Sequence, residues 1–222
     1  PSGWAYAALL AGRNGKFSYN KVRQTMGEGV HLGHHIQYLS GPARALNLKG
    51  FELIGNTFYD CWSAPVYFTV CEEGLVEENL VFHTNDPRFW YNRSTSTGYP
   101  QACFAFGCEL GEYGNPTQVF DGTYNGVQNV VVRNNIGNGA NRIFLIGSYG
   151  PVGRYRNIDL DHNTLFNPRG AYPSVYEVLM NDGSVADDDL SGFRWRNNMV
   201  LANDPSDISI TWNALGAGKV VQ

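Results

Sequence analysis

The sequence predicts an all-β fold in which short strands stack on one another as a solenoid, and three observations predict it. The chain of 222 residues carries 26 Gly and 22 Asn, both poor helix formers, and only 16% charged residues. A seven-residue pattern recurs six times along it. Within that pattern apolar residues alternate with period two, which marks strands with one buried face. Apolar residues at 43% and aromatics at 14% supply a core and argue against disorder. A net charge of −4 with scattered basic residues argues against nucleic acid as a partner. No apolar run is long enough for a membrane span. The chain opens at Pro1-Ser2-Gly3-Trp4 without a leader pattern and reads as a mature chain or an excised fragment.

The six copies are residues 14–20, 50–56, 79–85, 129–135, 157–163 and 192–198. Each begins with Asn or Gly and ends with Asn: Asn20, Asn56, Asn85, Asn135, Asn163 and Asn198. The fourth position is Phe17, Leu53, Phe82, Val132, Leu160 or Trp195, and with the second position it forms the buried face. The terminal Asn residues lie 36, 29, 50, 28 and 35 positions apart, an irregular but bounded period that suits a solenoid with loop insertions. Between the copies lie second strands over 28–33, 65–70, 103–107, 142–147 and 175–180, and 4–10 and 208–212 look like further copies at the ends. One domain, 1–222, accounts for the whole pattern, with a loop insertion at about 86–125.

This arrangement of Asn, alternating apolar residues, Asn, a short turn and an apolar strand resembles the right-handed parallel β-helix repeat of the pectate-lyase-like superfamily. Asn157-Ile-Asp-Leu-Asp-His-Asn163 is especially similar to one of its coils. The resemblance implies a β-helix of about six coils with an Asn ladder. In such a ladder the amides would hydrogen-bond neighbouring turn backbone and do no chemistry.

In register, one outward row would read Lys16, Glu52, Val81, Val131, Asp159, Arg194, and the next Ser18, Ile54, His83, Arg133, Asp161, Arg196. Asp159 and Asp161 would then lie beside Arg133, Arg194 and Arg196. Arginines lower a carboxyl pKa whereas a general acid needs it raised, so the expectation is an ion-pair ladder rather than a paired-carboxylate active site. The other strand would turn His31, Tyr67, Thr69, Ala105, Phe144 and Ile146 outward. There the resemblance implies calcium-binding acids and a catalytic Arg or Lys, and this sequence has no such cluster. An apolar outward row must be covered by loops, a partner or another subunit.

Candidate binding residues lie in the 86–125 insertion, where Trp90, Tyr91 and Tyr99 accompany Arg88 and Arg93. Flat aromatic faces stack on sugar rings while polar neighbours orient them, so this loop is expected to meet a glycan or a neighbouring subunit. For catalysis the candidates are His31 with Arg44 or Asp60, if loops bring them together. Asp187-Asp188-Asp189 offers oxygen ligands of the kind calcium takes, but a solvated acidic loop is the simpler reading, and neither a metal site nor a cofactor is expected. Cys61, Cys71, Cys103 and Cys108 read as disulfides in a secreted protein, with three pairings open and buried thiols as the alternative.

The resemblance implies an extracellular or cell-surface protein that binds or processes a polysaccharide or other glycan. If an enzyme, it would be a polysaccharide lyase or glycoside hydrolase. The alternative is a structural β-helix module of a filament, adhesin or surface layer with no catalytic activity. Solenoid ends expose strand edges, and neither terminus carries a legible capping helix. The chain is therefore expected to be part of a larger protein or to self-associate end to end.

Overall fold

A computed structural model describes residues 5–33, 48–69, 71–84, 86, 102–108, 127–148, 154–166, 174–180, 189–201 and 210–214. Strands are numbered in chain order and fall into three sheets. The first sheet stacks β1 (Ala8–Leu10), β4 (Val30–Leu32), β7 (Val66–Phe68), β10 (Ala102–Cys108), β13 (Arg142–Ser148), β16 (Ser174–Met180) and β20 (Ile210–Ala214). The second stacks β2 (Lys16–Ser18), β5 (Leu48–Ile54), β8 (Cys71–Glu77), β11 (Val127–Arg133) and β14 (Arg154–Asp161), with β17 (Asp189–Ser191) and β18 (Arg194–Arg196) both pairing β14. The third stacks β3 (Lys21–Arg23), β6 (Thr57–Tyr59), β9 (Leu80–Phe82), β12 (Ile136–Asn138), β15 (Thr164–Phe166) and β19 (Met199–Leu201). The chain visits the sheets in rotation, and every pairing is parallel. The described residues form no helix, and three parallel strand stacks are the architecture a parallel β-helix has.

The bends explain the residue choice. The first position of each seven-residue copy has a positive φ: Asn14 55°, Gly50 67°, Glu73 57°, Asn129 54°, Asn157 52° and Gly192 63°. So does the position before the closing Asn: Tyr19 58°, Gly55 65°, Glu78 58°, Asn134 55°, His162 53° and Asn197 52°. Left-handed backbone favours Gly and Asn, which is why the copies begin as they do. The third copy breaks that preference with Glu73 and Glu78, and its true frame is 73–79 rather than 79–85. Residues 80–82 belong to the third sheet.

Asparagines bridge the layers at the corner between the second and third sheets. The Oδ1 of Asn56, Asn79, Asn135, Asn163 and Asn198 accepts the backbone N–H of Asn20, Asn56, Asn79, Asn135 and Asn163 at 2.8–3.1 Å. Each Nδ2 of those five donates at 2.8–3.0 Å to a carbonyl one layer back: Phe17, Leu53, Val76, Val132 and Leu160. The place between Asn56 and Asn135 is thus held by Asn79, a correction to Asn85, which lies outside the described residues.

Inside, Leu53, Val76, Val132 and Leu160 face the layers of Val30, Val66, Phe104 and Phe144 and of Leu32, Phe68, Phe106 and Ile146. Rings stack along the axis because parallel pairing in register sets them one strand apart: Phe68 on Phe106 at 4.2 Å and 3°, Phe104 on Phe144 at 4.9 Å. Phe144 and Ile146 therefore point inward, and the outward residue between them is Leu145, correcting the row expected from sequence. β10 lies within the interval 86–125 and pairs with β7 and β13, so that interval is not one insertion but two segments flanking a core strand. Cys61, Cys71 and Cys103 are buried thiols that form no disulfide, which overturns the disulfide reading. Burial pushes the Cys61 thiol up to about 12 and that of Cys71 well above its ordinary range, so both stay protonated and inert.

Two substitutions test this packing in opposite directions. Gly74 sits where the Phe51 ring crosses, and a Cβ there collides with it. Gly74→Ala is expected to cost about 1–3 kcal/mol in denaturant unfolding. Glu78→Asn relieves a left-handed Glu and is expected to stabilise by about 0.5–1 kcal/mol. A neutral Gly74→Ala would mean that Phe51 does not occupy that space.

Candidate binding surface

The outward face of the second sheet is a set of ion pairs. Register aligns Lys16, Glu52, Leu75, Val131, Asp159 and Arg194 in one row and Ser18, Ile54, Glu77, Arg133, Asp161 and Arg196 in the next. Leu75 and Glu77 stand where Val81 and His83 were expected, because the third copy is framed six residues earlier. Val81 points into the core, and His83 is buried beyond the end of β9. Arg133 Nε meets Glu77 Oε1 at 2.8 Å and Lys16 Nζ meets Glu52 at 2.6 Å. Asp159 takes Arg196 at 2.7 Å and Arg194 at 3.3 Å, and Arg196 also reaches Asp161 at 3.6 Å. The hydrogen bond from Arg133 holds the Glu77 carboxyl below its ordinary range, despite some desolvation. At Asp161 desolvation works upward, but hydrogen bonds from Asn197 and His162 prevail and lower it.

The first sheet turns Leu9, His31, Tyr67, Ala105 and Leu145 outward in one row. From His31 to Leu145 this row is not a solvated face, and of the five residues only Leu9, at its end, is exposed. His31 is fully buried, and Tyr67, Ala105 and Leu145 join Ala64 and Ala102 in a second apolar cluster. His31 lies between the rings of Tyr6 at 5.4 Å and Tyr67 at 5.1 Å, and its Nε2 is 3.3 Å from Thr69 Oγ1. Asp60 is engaged elsewhere: its carboxylate accepts the Thr84 N–H at 2.7 Å and the Thr84 hydroxyl at 2.6 Å, closing the turn after β9. His31 and Asp60 are therefore not brought into one hydrogen-bonded group, and each has a structural task. Arg44 lies outside the described residues, as do Arg88, Trp90, Tyr91, Arg93, Tyr99, Asp187 and Asp188. Among the described residues no group of three or more His, Cys, Asp or Glu gathers that could hold a metal ion. Among them, too, no helix is long and apolar enough to cross a membrane.

The third sheet carries the exposed apolar face, and its strands escaped the sequence reading. Three residues are too few to show a period. The signal was the apolar residue two after each closing Asn: Val22, Phe58, Val81, Leu165 and Val200, with Gly137 as the exception. These point inward, and the residues on either side point out. One outward row reads Lys21, Thr57, Leu80, Ile136, Thr164, Met199, and the other Arg23, Tyr59, Phe82, Asn138, Phe166, Leu201. Leu80, Ile136, Met199 and Leu201 are 38–55% exposed, unusual for apolar residues aligned on one face. Tyr59 and Phe82 stack at 5.1 Å, Lys21 Nζ lies 5.4 Å from the Tyr59 ring centre, and Arg23 donates to the Tyr59 hydroxyl at 3.4 Å. These two rows hold two cations and no carboxylate.

Compared with known proteins, the chain matches no protein-family model, no curated protein and no solved structure. The geometry alone therefore marks the third sheet as the surface to test.

The second sheet yields a prediction about pH. Because the Glu77 pKa is depressed in the fold, its pair with Arg133 contributes above the ordinary carboxyl value of 4.5 and is lost as pH falls through the lowered value. Glu77→Gln should cost about 0.5 kcal/mol at pH 7, the scale of a solvent-screened pair, and the difference from the parent should vanish by low pH. A difference that persists unchanged in acid would remove the ion pair as its source.

Proposed function

We propose that the chain is a right-handed parallel β-helix of about six coils, akin to the pectate-lyase-like fold. Its asparagines form the internal ladder, and it works outside the cell or at its surface as a polysaccharide-binding protein. The observation that carries this reading is the exposed apolar and aromatic face of the third sheet. Six strands spaced about 4.8 Å apart make a face about 24 Å long, while two outward positions on a strand are only about 7 Å apart. That rectangle covers about 170 Å², well short of the roughly 800 Å² per partner of a stable protein interface. A long, narrow strip suits an extended polymer better than a globular partner. A single-stranded nucleic acid is also extended and stacks on aromatics, but it brings a phosphate per nucleotide and the strip offers only Lys21 and Arg23, both at one end.

Binding, not processing, is the part of the expectation this face supports. The non-catalytic structural module is the second reading, favoured by the same exposed Met199 and Leu201 should two copies pack there. The experiment is affinity electrophoresis through gels containing a panel of neutral and acidic polysaccharides, with sedimentation run in parallel. Tyr59→Ala with Phe82→Ala is expected to weaken retention at least tenfold, and Lys16→Gln on the second sheet to leave it unchanged. Equal retention by the folded double variant sinks the binding surface. A parent protein that ignores every glycan but sediments as a concentration-dependent oligomer supports the structural module instead.

A further inference from the structure

Along the third-sheet row from Tyr59 to Leu201, one position, Asn138, departs from the apolar and aromatic run. Tyr59 and Phe82 lie on adjacent strands with planes 9° apart, so their edges face solvent and their flat faces look along the stack. One face of Tyr59 meets Lys21 and the other meets Phe82. The free face of Phe82 looks toward the next strand, which carries Asn138, and the strand beyond carries Phe166. Phe82 and Phe166 are two strand spacings apart, about 9.6 Å. An aromatic contact takes roughly 4.5–5 Å between ring centres, so this gap has the thickness of one inserted ring.

The floor of the gap is fixed. The Asn138 carbonyl accepts the His83 N–H at 3.0 Å and lies 3.7 Å from the Cys103 sulfur. Its side-chain amide, half-buried, makes no hydrogen bond among the described residues and presents both a donor and an acceptor. On the same strand Ile136, 39% exposed, closes one side.

We infer that this slot receives a single sugar ring, inserted edge-on between Phe82 and Phe166, with the Asn138 amide pairing with its hydroxyls. The inference rests on the polysaccharide-binding reading and narrows it. A ring in the middle of a linear chain has linkages on both sides, and Ile136 blocks one. A chain end or a single-sugar branch has one linkage, which leaves outward. The class of ligand is thus a polysaccharide bearing side branches, with Asn138 as the residue that sets specificity.

The test uses the full chain and two probes, galactomannan and the same mannan backbone after its galactose branches are removed. Binding is read by titration calorimetry. The parent is expected to bind the branched polymer at least tenfold more tightly than the debranched one. Asn138→Phe puts a ring into the gap and should bring the branched polymer down to the debranched level. Asn138→Ala, which keeps the gap but loses the amide, should lose about fivefold on the branched polymer only. Equal affinity for both probes, unchanged in the two variants, overturns the slot while leaving the strip intact as a binding surface. No binding of either probe by the parent, with retention in none of the polysaccharide gels, overturns both. Displacement of the branched polymer by a single-stranded oligonucleotide, abolished by Asn138→Phe, reassigns the gap to a base and also overturns the inference.

Discussion

The structure depends on one constraint: at the corner between the second and third sheets the chain turns sharply in every layer, and the polar groups exposed by that turn are buried. Asn56, Asn79, Asn135 and Asn163 are each about 1% exposed, so water cannot satisfy them. An unpaired buried amide or carbonyl costs on the order of 1–3 kcal/mol. Asparagine meets the requirement because it offers an acceptor for the next backbone N–H and donors for a carbonyl one layer back. Aspartate lacks the donors, and serine is too short to serve both partners. The left-handed residue just before each Asn aims the side chain into the stack, so the bend and the bond row specify each other.

Everything outward is then a consequence of register. Once Asn79 is bonded to Asn56 and Asn135, Leu75 and Glu77 fall opposite Val131 and Arg133, and the second sheet becomes a field of ion pairs. The same step puts Tyr59, Phe82, Asn138 and Phe166 in a single row on the third. A slip of one residue would reverse faces along a strand, turning Phe104 and Phe144 out and Ala105 and Leu145 in. The three sheets thus divide their work. The first buries both faces from β4 to β13, the second is charged and locally neutralised, and the third leaves an apolar strip to solvent. That division, rather than any cluster of reactive side chains, is what directs a functional reading toward recognition.

Several features were legible without coordinates. Period-two alternation around Val132 and Leu160, and the closing Asn20, Asn56, Asn135, Asn163 and Asn198, mark strands and corners because the backbone requirement there is local. So does the pairing of Asp159 and Asp161 with Arg194 and Arg196, since equal offsets from the closing Asn become neighbours once layers stack. Where a local preference was overridden, the reading slipped. Glu73 adopts the left-handed conformation that Gly or Asn take at that position in the other copies, so the sequence pattern frames the third copy on Asn85 instead of Asn79. The loss of frame carried Val81 and His83 into the wrong rows.

The sequence by itself determined an all-β chain of stacked short strands, because bend residues and alternation are properties of a few adjacent positions. Only the tertiary structure decided which outward faces stay outward. His31 and Leu145 sit on an outer face yet are buried by the rest of the chain, and Cys61, Cys71 and Cys103 lie unbridged within one apolar core. The three-residue strands of the third sheet are too short to show a period, and their exposed row joins residues 23 to 56 positions apart. Such a surface exists only after parallel pairing sets one strand about 4.8 Å from the next, a distance that no window of sequence contains.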